Sequence, residues 1–277
     1  MKIILVFLSL IICGCAKVED PALDLSLSSE ISQIIGDSVI SIDEAGGSTS
    51  GLLSRATVTA AEDPVKCNAV AFSACSTGIK TKNFNNCVTA TVAGSKGSVS
   101  GSLNLTYSDN TCSMSAVNAT VSQAPNVNIK NSKGTQYQVT ALTTGQTIQR
   151  QTLGGVFTFN NTGIKRKIVQ PSGAVALDIE TRTTAAINFT GNARTNRTIS
   201  SGTVETKDNL TGKVCTVSPS VAVKWSLAGC NCPSEGEWSG TCSDATTYKI
   251  LYTNVCGEVV VTKGTEEKIV NIDRCQD

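Results

Sequence analysis

Residues 174–190 read Ala-Val-Ala-Leu-Asp-Ile-Glu-Thr-Arg-Thr-Thr-Ala-Ala-Ile-Asn-Phe-Thr, and this stretch decides the fold class. Its odd positions are Val175, Leu177, Ile179, Thr181, Thr183, Ala185, Ile187 and Phe189. Its even positions include Asp178, Glu180, Arg182 and Asn188. One face is apolar at both ends and the other is polar. That is the period of two of a half-buried strand, not the 3.6 of a helix. The run exceeds the usual strand length of roughly 5–6 residues. It reads either as one long bent strand or as two strands joined near Thr183-Thr184.

The same period recurs outward in both directions. Leu103, Leu105 and Tyr107 alternate with polar neighbours, as do Tyr137, Val139 and Ala141, and then Phe157 and Phe159. Val221, Val223, Trp225 and Leu227 predict a further strand running into Cys230. Strands are expected at about 247–253, 258–263 and 268–273, with a turn at Lys263-Gly264. Ser, Thr, Asn, Val and Gly dominate the body, the residues of strands and tight turns. The expectation is all-β: an antiparallel sandwich or large curved sheet, with a disulfide-tied C-terminal β-meander.

Twelve cysteines and no histidine bound the chemistry. Without histidine there is no Ser-His-Asp or Cys-His machinery and no His-ligated zinc or haem. No cofactor is implied. Cys67, Cys75, Cys87 and Cys112 form one group, and Cys215, Cys230, Cys232, Cys242, Cys256 and Cys275 a second. Ten such cysteines in an exported chain predict disulfides within each group, with connectivity left open. A soft-metal site at Cys230-Asn231-Cys232 and Cys242 is disfavoured, since zinc sites space their close pairs by two to four residues.

The first residues set the compartment. Met1-Lys2 precedes an apolar run from Ile3 to Ile12 that is too short to span a bilayer, followed by Cys13-Gly14-Cys15. Ile12, Cys13, Gly14 and Cys15 resemble the lipobox of bacterial lipoproteins. The resemblance covers about fifteen residues. It implies cleavage before Cys15, acylation of Cys15 and stable anchoring by two or three chains. The absence of Asp after Cys15 implies, by the enterobacterial sorting pattern, the outer membrane. The expected organisation is a signal peptide at 1–14 and a lipid-anchored tether at 15–62 with a short helix near 28–36. A β-sheet domain at 63–228 and a cysteine-rich β module at 229–277 follow.

Charge is uneven. Residues 1–66 carry 4 basic and 9 acidic side chains, whereas residues 130–213 carry 11 and 4. Lys165, Arg166, Lys167, Arg194 and Arg197 are the candidate site for an anionic lipid or glycan; a solvated sheet face is the plainer reading of them. Aromatics make up only 4% of the chain, and no stacking motif appears, which argues against nucleic acid. Glu235 and Glu237, near Trp238, are the nearest thing to a carboxylate pair and read as loop charges. No residue is assigned a catalytic role. The features favour a non-enzymatic structural, adhesion or binding module that meets the membrane through its lipid and an envelope protein or anionic surface through its body. The alternatives are a carboxylate-dependent hydrolase of envelope polymers, or a lipid carrier or assembly factor.

Overall fold

The computed structural model describes residues 70–92, 95–191, 196–230 and 232–271. The expected signal peptide, tether and short helix, together with Cys15, Cys67, Arg194 and Cys275, lie outside the described residues. The strands are β1 (Ile79–Val92), β2 (Ser95–Tyr107), β3 (Thr120–Asn131), β4 (Gln136–Ala141), β5 (Gln146–Arg150), β6 (Val156–Asn161) and β7 (Ile164–Val169). They continue with β8 (Val175–Thr190), β9 (Thr198–Asp208), β10 (Val214–Lys224), β11 (Glu235–Cys242), β12 (Thr247–Tyr252), β13 (Glu258–Lys263) and β14 (Glu266–Asn271). All fourteen belong to one antiparallel sheet, so the curved-sheet alternative is the one adopted. The strands after residue 229 continue that sheet through the β10–β11 ladder.

The order of strands looks irregular only at β4–β7. There β3 pairs with β4 through Asn126–Lys130 and with β5 through Thr120–Gln123. In the same way β8 pairs with β7 through Val175–Thr181 and with β6 through Ile187–Thr190. Thus β4 and β5 form one interrupted line antiparallel to β3, and β6 and β7 form the next. With that substitution every strand lies beside its chain neighbours, and the described sheet is an up-and-down meander.

The interruptions at 142–145 and 162–163 satisfy each other. The Leu142 N–H donates to the Gly163 carbonyl at 2.9 Å, and the Thr162 N–H donates to the Gly145 carbonyl at 2.9 Å. Gly145 sits at φ 74°, and a Cβ there would lie 2.1 Å from the Gln123 carbonyl oxygen. Only glycine accommodates both the left-handed backbone and the approach of β3. Asn161 completes the repair. Its side-chain amide donates to the Thr181 carbonyl at 2.9 Å, and its Oδ1 accepts from the Gly163 N–H at 2.9 Å.

The alternating residues of residues 174–190 do form one strand, β8. Its register against β9 shifts at Thr183/Ala185, Ala185/Asn188 and Asn188/Phe189. The bend therefore falls where β8 changes partners from β7 to β6. Ile179, Ile187 and Phe189 are buried on the inner face. The main core joins Leu105, Tyr107, Val121, Ile148, Phe157 and Phe159 to Val217, Trp238, Ile250 and Val261. Each fully buried Ile or Phe contributes roughly 1.5–3 kcal/mol. The inner faces of early and late strands share this core, so the sheet folds over on itself, as wide twisted sheets commonly do. A second, smaller core of Phe84, Cys87, Val99 and Leu103 lies under β1 and β2.

Two local expectations change. The strand expected over Val221–Leu227 is Val214–Lys224 instead. Register shifts around Val221 put that side chain outside, 56% exposed, while Val223 is fully buried. Trp225 follows the strand and stays buried. Asp178, expected on a wet face, is 9% exposed. Asn209, from the β9–β10 turn, covers it by donating Nδ2 to Asp178 Oδ1 at 2.9 Å.

Candidate functional site

Among the described residues, the basic candidates do not come together as one exposed patch. Lys165, Arg166 and Lys167 are consecutive on β7, so their side chains alternate between faces. Arg166 faces inward and is fully buried, in register with Val139 on β4 and Ile179 on β8. Lys165 and Lys167 are half-buried on the outer face. Lys165 Nζ lies 3.1 Å from Asp178 Oδ1. Arg197 belongs to the other end of β8. Along the strand, Ile179 beside Arg166 and Phe189 beside Arg197 are about 30 Å apart at ~3.3 Å per residue.

Arg197 is 2% exposed, with its guanidinium carbon 5.4 Å from the Phe189 ring centre and 5.8 Å from that of Trp225. A buried guanidinium between two aromatic faces gains cation–π attraction and packs as a flat apolar-edged slab. Arg166 and Arg197 are therefore interior residues, not surface anion ligands. The sequence reading erred here because it judged the charges by number and not by strand phase. Arg166 shares the inward phase of Ile164, and Arg197 that of Ile199.

The acidic candidates lie on β11, not in a loop. Glu235 accepts a hydrogen bond from the Ser226 hydroxyl, and its other oxygen lies 3.7 Å from Lys224 Nζ. Glu237 accepts from the Ser220 hydroxyl at 2.6 Å and lies 3.7 Å from Lys249 Nζ. Each carboxylate is thus held by its own hydroxyl and its own lysine.

The cysteines are joined across strands and loops. Cys75–Cys112 ties the segment before β1 to the β2–β3 connection, with Cα atoms 5.9 Å apart. Cys215–Cys242 joins residues directly in register on β10 and β11. Cys230–Cys256 ties the β10–β11 loop to the β12–β13 loop, with Cα atoms 5.5 Å apart. Cys87 and Cys232 are also disulfide-bonded. The thiols considered for a metal are consumed in these bridges.

Two polar clusters escaped the sequence reading. Gln123, Gln146 and Asn161 are 2%, 3% and 1% exposed and stand in register across β3, β5 and β6. They occupy inward-phase positions, which was the available signal. Beside the Cys215–Cys242 bridge, Lys213 Nζ lies 3.0 Å from Asp244 Oδ2 and 3.2 Å from the Tyr248 hydroxyl. Burial pushes the Lys213 ammonium down, but its bonds to Asp244 and Tyr248 outweigh that and hold it above its ordinary value. Hydrogen bonds from Lys213 and Thr246 bring Asp244 to about 2. This clamp joins the β9–β10 turn to the β11–β12 turn and the start of β12.

No protein-family model matches the chain, and no curated protein and no solved structure is similar to it.

Proposed function

We propose that the chain is a bacterial lipoprotein held at the outer membrane by Cys15, with its β-body acting as a non-enzymatic structural, adhesion or binding module of the cell envelope. The observation that carries this reading is the oxidation of the body's cysteines in bridges that span adjacent strands and loops. Such bridges form and persist outside the reducing cytosol. This agrees with the resemblance of Ile12, Cys13, Gly14 and Cys15 to a lipobox. A module is favoured over a hydrolase because Glu235 and Glu237 are each engaged by a separate lysine and serine. The body meets its partners, an envelope protein or an anionic lipid or glycan, through its outward strand faces and loops.

The test is metabolic labelling with a fatty acid, followed by membrane fractionation. Wild type is expected to carry label and to sediment with outer membranes. Cys15→Ser is expected to lose the label and leave the membrane fraction. Label retained by Cys15→Ser would sink the reading.

A further inference from the structure

The outer face of the last strands carries an apolar row that runs to the end of the sheet. Register places Val221 of β10 opposite Glu237 of β11, Glu237 opposite Leu251 of β12, Leu251 opposite Val260 of β13, and Val260 opposite Ile269 of β14. Val221, Leu251 and Ile269 are 56%, 44% and 59% exposed. Among the described residues, large apolar side chains as exposed as these otherwise lie in turns or loops, except Ile79 at the start of β1. Glu237 separates Val221 from the contiguous apolar part, Leu251, Val260 and Ile269, which spans about 10 Å at ~4.8 Å per strand. Flanking outward positions are polar or charged, among them Lys249, Thr262 and Glu267. Among the described residues β14 pairs only with β13, so its far side presents unpaired backbone donors and acceptors beside Ile269.

We propose that this edge joins a second copy of the same chain, β14 against β14, in an antiparallel pairing centred on Ile269. The charges on the strand narrow the registers in which two copies can pair. A two-fold pairing centred on Glu266 or Glu267 sets carboxylate against carboxylate, and one centred on Lys268 sets ammonium against ammonium; each is destabilising. Centring on Ile269 places Ile269 against Ile269, Lys268 against Val270 and Glu267 against Asn271, with no like charges opposed. It also continues the apolar row through the two-fold axis, as Leu251, Val260 and Ile269 of one copy followed by the same residues of the other. The edge charges that normally blunt a free strand thereby disfavour the registers centred on residues 266, 267 and 268, and the outward apolar row favours Ile269 over Val270, whose centring would set Ile269 against Asn271. Directly opposed Cα atoms in such a pair are about 4.5–5.5 Å apart, inside the Cα–Cα range of a disulfide, and Cys215 and Cys242 already form a bridge between directly opposed residues.

The test introduces single cysteines into the full-length chain in cells and reads non-reducing gels. Ile269→Cys is expected to convert the greater part of the protein into a dimer that reductant dissolves, with the bridge mapped by mass spectrometry to residue 269 of both copies. Leu251→Cys, in the same row but two strands inside the edge, is expected to stay monomeric. Both positions are exposed, and a near-ultraviolet circular dichroism spectrum like that of wild type shows that each variant is folded. A monomeric Ile269→Cys, equal cross-linking of the two variants, or a bridge from residue 269 to a native cysteine each overturns the proposal.

Discussion

Asn161 and Thr181 are joined across the interruption between β6 and β7: the Asn161 amide nitrogen lies 2.9 Å from the Thr181 carbonyl oxygen. The Asn161 side chain is 1% exposed and also accepts from the Gly163 N–H. Asn161→Ala leaves a donor and an acceptor buried without this partner. A loss of about 3 kcal/mol is expected, since each buried orphan costs roughly 1–3 kcal/mol. Urea denaturation at neutral pH measures it. A loss below about 1 kcal/mol, the net worth of one ordinary hydrogen bond, would remove Asn161 from this role.

Gly145 and Gly173 give a paired comparison. Both have positive φ, but a Cβ at Gly145 meets the Gln123 backbone, whereas one at Gly173 meets nothing within 4 Å. Gly173→Ala should cost only the backbone conformation, about 1–2 kcal/mol. Gly145→Ala adds a displacement of β3, and a total of about 4 kcal/mol or failure to fold is expected. Thermal midpoints of the two variants, side by side, check the order.

Removing the Cys230–Cys256 bridge as Cys230→Ala with Cys256→Ala frees a loop with a sequence separation of 26 residues. The expected loss is about 3 kcal/mol. It appears as a lower urea midpoint in the double variant than in unreduced wild type, and reductant should bring wild type below both.

Acid should weaken the Lys213–Asp244 clamp. Asp244 titrates near 2 when folded, below its ordinary 3.8, so its contribution is present above about pH 4 and is lost as pH falls toward 2. Lys213 is raised above its ordinary 10.5, so its contribution is complete below that value and is lost in stronger alkali. Asp244→Asn should flatten the stability curve between pH 4 and pH 2 relative to wild type. Parallel curves in that window would show that the pair is not coupled to folding.

Strand phase carried most of the fold. Val175 to Phe189 revealed a half-buried strand because its inward residues are apolar at both ends. The last strands were legible for the same reason, with Lys263-Gly264 marking the final turn. Register was not legible, because the partner switch on β8 depends on Asn161 and Gly145, residues some 20 and 40 positions away in the sequence. The basic cluster misled because Arg166 and Arg197 look like surface residues by type. Only Ile179 across the ladder, and the rings of Phe189 and Trp225, place them inside. The bulge at Val221 broke an alternation that Val223 and Trp225 seemed to continue.

The up-and-down order of the sheet bears on how the chain assembles. Hydrogen-bonded neighbours in the sheet are also neighbours along the chain, so any hairpin can serve as a template for the next. Sequence-local pairing of this kind lowers the loop-closure cost of each step and favours rapid formation. Cys75–Cys112, Cys215–Cys242 and Cys230–Cys256 close separations of 37, 27 and 26 residues, so the partners in each pair arrive within a few strands of each other. Each bridge nevertheless spans a nearer cysteine, Cys87 within Cys75–Cys112, Cys230 and Cys232 within Cys215–Cys242, and Cys232 and Cys242 within Cys230–Cys256, so order of emergence alone would mispair them and strand registration has to precede oxidation.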